Sequence, residues 1–93
     1  MISSDVAEKL REMLRYNVEN NYGSGRFAGL TVGAKSGTAE VEGRDPHAWF
    51  AGYVEDESCP VAFAVVVENG GAGSSVAGDV AGKVVTACKK ALA

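Results

Sequence analysis

The fold of this 93-residue chain is decided by the stretch Leu30-Thr31-Val32-Gly33-Ala34-Lys35-Ser36-Gly37-Thr38-Ala39-Glu40-Val41. It begins as an apolar, β-branched run that is typical of a strand. At Lys35 the character changes, because a cation, two hydroxyls and a glycine follow where a purely structural strand would continue with Val or Ile. Gly37 weakens a strand and is common where a ligand approaches the main chain closely. Lys35, Ser36 and Thr38 therefore predict a site for an anion, most simply a carboxylate, at the edge of a sheet.

The segments on either side of this strand predict an α+β fold. A helix capped by Ser3 or Ser4 comes first, and we expect its apolar stripe to pack in the core; the stripe consists of Val6, Leu10, Met13, Leu14 and Val18. Strands at 48–54 and 61–67 follow, and their short connections predict a three-stranded antiparallel meander. A last helix spans about 76–92, and its predicted inner side consists of Ala77, Val80, Ala81, Val84, Cys88 and Leu92.

The third strand departs from the pattern of a half-exposed sheet. Residues 61–67 include no polar side chain, and Trp49 and Phe50 are adjacent in the second strand, so both faces of the sheet are apolar. Two helices on one face would leave the other face bare. We therefore expect the isolated chain to pair with another copy through this bare face or through an open strand edge.

Residues 35–40, Lys-Ser-Gly-Thr-Ala-Glu, resemble the Lys-Ser/Thr-Gly box of penicillin-binding proteins, which is the third active-site motif of serine D,D-transpeptidases and their β-lactamase-like relatives. The similarity continues in order through the leading helix, the run 46–53, the run 65–71 and the small-residue last helix. The chain is thus similar to the C-terminal part of a class B transpeptidase domain. The resemblance implies that residues 1–93 are one portion of that domain and supply the last three strands of its five-stranded sheet.

The resemblance also implies a role for each residue of the box. Lys35 would contribute positive potential at the active-site wall, and Ser36 and Thr38 would hydrogen-bond the terminal carboxylate of a peptidoglycan stem peptide or of a β-lactam. The backbone N–H of Thr38 would be one of two oxyanion-hole donors, and Gly37 would let the substrate lie along the strand. Simple alternation places Ser36 and Thr38 opposite Lys35, so one ligand meets all three only at the strand edge or where the strand twists.

The other two motifs of the family are absent from these residues. The nucleophile of the family lies in a Ser-x-x-Lys box, and no serine here has a lysine three positions on; the serines are Ser3, Ser4, Ser24, Ser36, Ser58, Ser74 and Ser75. The Ser-x-Asn box is missing as well. We therefore expect the 93-residue chain alone to be inactive, as a fragment of a peptidoglycan-cross-linking enzyme. The alternative is a stand-alone, non-catalytic interaction module that associates through its bare sheet face.

Composition and the remaining motifs exclude several other functions. The net charge of −3 gives no case for binding nucleic acid. The glycine-rich loop 68–75 lacks the residues of a phosphate cradle, and we interpret it as a flexible link, with no cofactor expected. His47 is interpreted as structural, and Cys59 and Cys88 as unpaired thiols rather than a bridge or a metal site.

The first residues do not have the pattern of a signal peptide, so none is expected there, and no apolar run approaches the roughly 20 residues that span a bilayer. We expect it to be soluble by itself. The resemblance implies a parent protein with an upstream membrane anchor and with this domain on the extracytoplasmic side.

Overall fold

The computed structural model describes residues 1–27 and 29–92. It consists of two α-helices and one three-stranded sheet, which confirms the predicted α+β class. The elements in chain order are α1 (Ser4–Asn17), a π-helical turn (Val18–Tyr22), a 3-10 turn (Ser24–Phe27), β1 (Val32–Val41), β2 (Arg44–Val54), β3 (Ala62–Val67), a second π-helical turn (Gly73–Ala77) and α2 (Gly78–Leu92).

The sheet is the predicted antiparallel meander, with strand order β1-β2-β3. Its middle strand begins at Arg44 rather than at Ala48, because the turn between the first two strands is confined to Glu42 and Gly43. Gly43 has a φ of 74°, a conformation that glycine adopts without steric penalty. The turn is therefore tighter, and the β1–β2 hairpin longer, than the sequence pattern indicated.

The core lies on one face of the sheet and is centred on Phe50. Ser36 and Val65 flank Phe50 on the neighbouring strands, so the three residues mark the same face. The Phe50 ring is fully buried and lies 5.1 Å from the Tyr22 ring, 6.3 Å from the Phe27 ring and 6.2 Å from the Phe63 ring. Aromatic contacts of this kind bury large apolar areas in defined geometry.

The last helix packs on this core with a side that coincides only partly with the predicted one: Ala77 and Ala81 are buried and Cys88 is half-buried against the core, as predicted, but Leu92 is exposed. Its buried residues are Gly78, Ala81, Gly82 and Val85, whereas Val80 and Val84 are exposed. A Cβ at Gly82 would lie 2.7 Å from the carbonyl oxygen of Arg26, so the glycine permits close contact with the 3-10 turn. That contact determines which side of α2 faces inward.

The first helix lies along the edge of β1 instead of covering the core face. Asn17 Nδ2 donates to the Ala34 carbonyl at 3.4 Å, and the Tyr53 hydroxyl donates to the Arg11 carbonyl at 2.8 Å. A Cβ at Gly33 would meet the Tyr53 ring at 2.6 Å, which explains the glycine in this apolar strand. The prediction that the α1 stripe packs in the core is wrong for three residues, because Val6, Leu10 and Met13 are exposed.

The side of the sheet opposite Phe50 is bare over part of its area, as predicted, but Tyr53 on the same side is half-buried and bonds α1. Trp49 and Val66 face each other across β2 and β3 on that side and are 41% and 45% exposed. Ala51 and Ala64 form the next cross-strand pair and are exposed as well. The sheet therefore presents an apolar surface, which we call the bare face.

The glycine-rich connection before α2 is packed against the sheet, so its interpretation as a flexible link is wrong at Gly73. This residue is buried, and a Cβ on it would lie 2.7 Å from the Trp49 carbonyl oxygen and 3.0 Å from the Gly37 nitrogen. Only a glycine allows the chain to approach the β1 and β2 backbones this closely.

Candidate functional site

The candidate site is the outer edge of β1. Among the described residues β1 pairs with β2 alone, so no strand covers its other edge, which Asn17 and Tyr22 contact at Ala34 and Ser36. The Ser36 N–H donates to the Tyr22 hydroxyl at 3.0 Å and therefore points to this edge. Because N–H direction alternates along an antiparallel strand, the Thr38 N–H has the same outward orientation.

Lys35 belongs to the opposite face of the strand, as alternation predicts, since it pairs with Ala51 of the bare face. Its side chain nevertheless bends back to the edge, where Nζ donates to the Ser36 carbonyl at 2.7 Å. The ammonium group and the hydroxyl-bearing residues therefore meet at one edge although their side chains start on different faces.

Ser36 is held by a residue that the sequence analysis missed. The Tyr22 oxygen lies 3.0 Å from Ser36 Oγ as well as 3.0 Å from the Ser36 nitrogen. Burial raises the pKa of Tyr22, but the hydrogen bonds with Ser36 and the positive charge of Lys35 together outweigh it, so the pKa lies below its ordinary value. Tyr22 and Ser36 are 14 positions apart in the sequence, so no local pattern signalled this contact.

Gly37 and Thr38 complete the edge. A Cβ at Gly37 would meet only Trp49 Cβ, at 3.5 Å, which is an ordinary contact, so side-chain packing does not demand a glycine here. Thr38 is exposed, and its side chain follows Ser36 on the same face of the strand. Lys35, Ser36, Gly37 and Thr38 are consecutive along this edge, and we call these four residues the β1 edge.

The remaining candidate residues lie elsewhere. His47 Nδ1 accepts the Asn69 N–H at 2.9 Å, which gives this histidine a structural role in the connection after β3. Cys59 is buried, Cys88 is half-buried, and both are free thiols. An open groove of about 460 Å³ runs along α2 and shares no residue with the β1 edge; it is lined by Arg26, Asp79, Gly82, Lys83, Thr86, Ala87 and Lys90.

Comparison with known proteins defines the class. Residues 1–86 match the penicillin binding protein transpeptidase domain family, and the chain belongs to this family. Within this family, the chain is 36% identical over 74 residues to the peptidoglycan D,D-transpeptidase PbpA of Mycobacterium tuberculosis. The matched residues cover 74% of this chain and 15% of that protein. PbpA of Mycolicibacterium smegmatis is 35% identical over 75 residues, which cover 75% of this chain and 15% of that protein.

Solved structures agree with this assignment. Penicillin-binding protein A from M. tuberculosis, as its ceftriaxone acyl-enzyme complex, matches with a TM-score of 0.82 at 30% identity, over 94% of this chain and 22% of that one. The imipenem acyl-enzyme complex of the same protein matches with a TM-score of 0.77 at 34% identity, over 92% of this chain and 20% of that one. The chain spans 15% of the length of the curated relatives, so it is a fragment of such a transpeptidase domain. Its described helices are too short or too polar to cross a bilayer.

Proposed function

We propose that this chain is the C-terminal portion of a peptidoglycan D,D-transpeptidase domain and supplies the substrate-binding wall of its active site. The observation that carries the proposal is that the Lys35 ammonium group and the Ser36 hydroxyl both lie at the β1 edge, to which strand alternation also directs the Thr38 N–H. The rest of the domain would supply the nucleophilic serine, its activating lysine and the Ser-x-Asn box. The parent protein would be membrane-anchored, with this domain on the extracytoplasmic side.

In this role the β1 edge recognises the terminal carboxylate of a stem peptide or of a β-lactam. The Ser36 and Thr38 hydroxyls donate hydrogen bonds to the carboxylate, and Lys35 adds positive potential that favours an anion. The Thr38 N–H donates to the oxygen that becomes negatively charged when the acyl carbonyl is attacked. Gly37 leaves the main chain open, so that an extended substrate lies along the strand.

The isolated chain is expected to form no covalent adduct with a penicillin. Acyl transfer requires a nucleophile, a base and an oxyanion hole together, and these residues provide only part of the third. Intact-mass spectrometry after incubation with an excess of a reactive penicillin measures this directly. The M. tuberculosis PbpA serves as the positive control and should gain the mass of one acyl group. A stoichiometric adduct on one serine of the 93-residue chain would show that the division of roles proposed here is wrong.

The bare face favours a second candidate role, association with another copy of this chain or with a partner protein. Trp49 and Val66 are exposed there, and water is excluded from such a surface when a second apolar surface covers it. We expect the average mass from light scattering to rise with concentration, and Trp49→Ser to reduce the rise. Tyr16→Ser is the matched control, since it removes an exposed aromatic ring from α1. A monomeric mass at every concentration would exclude association with another copy.

A further inference from the structure

The Tyr22 hydroxyl is fixed against Ser36 by packing as well as by hydrogen bonds. Tyr22 ends the π-helical turn that extends α1, and Gly23, with a φ of 88°, turns the chain away immediately afterwards. The ring meets the buried Phe50 ring edge-on, with 5.1 Å between centroids and 72° between planes. Because Phe50 holds the ring in place, the hydroxyl position is set by the core.

Either hydroxyl of this contact can be the donor, and the direction decides whether Ser36 keeps a free O–H for a ligand. The Tyr22 oxygen accepts the Ser36 N–H, and it carries a single proton of its own. Ser36 Oγ, 3.0 Å away, is within reach of that proton. If Tyr22 donates to Oγ, the serine keeps its own O–H free to donate outward.

We propose that Tyr22 is a positioning residue for the substrate carboxylate, holding Ser36 in the orientation in which its hydroxyl donates to the ligand at the β1 edge. This inference rests on the proposed function, since it assigns Ser36 a carboxylate to bind. It deepens that function in two ways. Tyr22 orients the Ser36 O–H, and it occupies the outward Ser36 N–H so that the Thr38 N–H is the backbone donor that meets the ligand.

The contact is tested first in the 93-residue chain, by amide hydrogen exchange of Ser36 measured by NMR. Tyr22→Phe removes only the hydroxyl oxygen, and we expect the Ser36 amide to exchange about tenfold faster, as the loss of one hydrogen bond implies. Tyr53→Phe is the matched control, because it removes a half-buried hydroxyl that bonds the Arg11 carbonyl instead. Unchanged exchange at Ser36 in Tyr22→Phe, or an equal change in Tyr53→Phe, would overturn the inference.

The function of the contact is tested in an assembled enzyme, in which this chain replaces the matching segment of M. tuberculosis PbpA. Penicillin acylation is separated there into a dissociation constant for the initial complex and a rate constant for acylation. Tyr22→Phe is expected to raise the dissociation constant about 3- to 10-fold and to leave the acylation rate constant nearly unchanged. Ser36→Ala is expected to raise the dissociation constant by a similar factor. The Tyr22→Phe/Ser36→Ala double variant is expected to raise it no further than Ser36→Ala alone.

The outcomes separate the two proposals. If Ser36→Ala weakens the initial complex and Tyr22→Phe does not, the positioning role is wrong and the substrate-wall function stands. If the two effects add fully, Tyr22 acts independently of Ser36 and the inference is also overturned. If Ser36→Ala binds penicillin like the parent enzyme, the proposed function of the β1 edge fails, and the role of Tyr22 fails with it.

Discussion

Phe50→Ala is expected to lower the free energy of unfolding by about 3–5 kcal/mol, the range for deleting a fully buried aromatic ring. The Phe50 side chain is completely inaccessible and contacts the rings of Tyr22, Phe27 and Phe63 from three different elements. The alanine variant would leave a cavity where these elements meet. Because small domains are stable by only about 5–15 kcal/mol in total, the variant should be close to unfolded.

Urea denaturation followed by circular dichroism measures this loss. Trp49→Ala is the matched control, because it deletes a neighbouring aromatic ring of the same strand from the exposed side of the sheet. We expect it to change stability by less than about 1 kcal/mol, as for surface positions in general. Similar losses in the two variants would contradict the assignment of one buried and one bare face.

The sequence was sufficient to predict the sheet because its signals are local. β-branched runs separated by short turns gave the three strands and the meander, and alternation placed Lys35 and Ser36 on opposite faces. The way in which these two residues reach one edge could not be predicted. It depends on the bent side chain of Lys35, whose Nζ bonds the Ser36 carbonyl, and on the Tyr22 hydroxyl that arrives from another element.

The sequence predicted both helices correctly, but it did not predict fully which side of each helix is buried. In α2 the inner side is set by Gly78 and Gly82, which contact Arg26 and carry no hydrophobic signal. In α1 the pattern identified an apolar stripe, but such a pattern does not tell which part of a protein covers it.

Thr38→Pro is expected to reduce the rate of penicillin acylation in the assembled enzyme by about 10²- to 10³-fold, the range for removing one oxyanion-hole donor. Proline has no backbone N–H, and on an edge strand it is tolerated where that N–H points away from the neighbouring strand. The outward Ser36 N–H, two residues earlier, indicates that position 38 meets this condition. Gly37, as the preceding residue, accommodates the restriction that proline places on its neighbour.

Two further variants separate the N–H of Thr38 from other effects. Thr38→Val keeps the N–H and removes the hydroxyl, so it should weaken the initial penicillin complex about tenfold or less while acylation of the bound complex continues. Ala39→Pro places proline at the neighbouring position, whose N–H points toward β2, so this variant should destabilise the 93-residue chain. Thr38→Pro should instead leave the circular dichroism spectrum of the 93-residue chain unchanged. If a folded Thr38→Pro enzyme is acylated at the parent rate, the oxyanion is stabilised by a donor other than the Thr38 N–H.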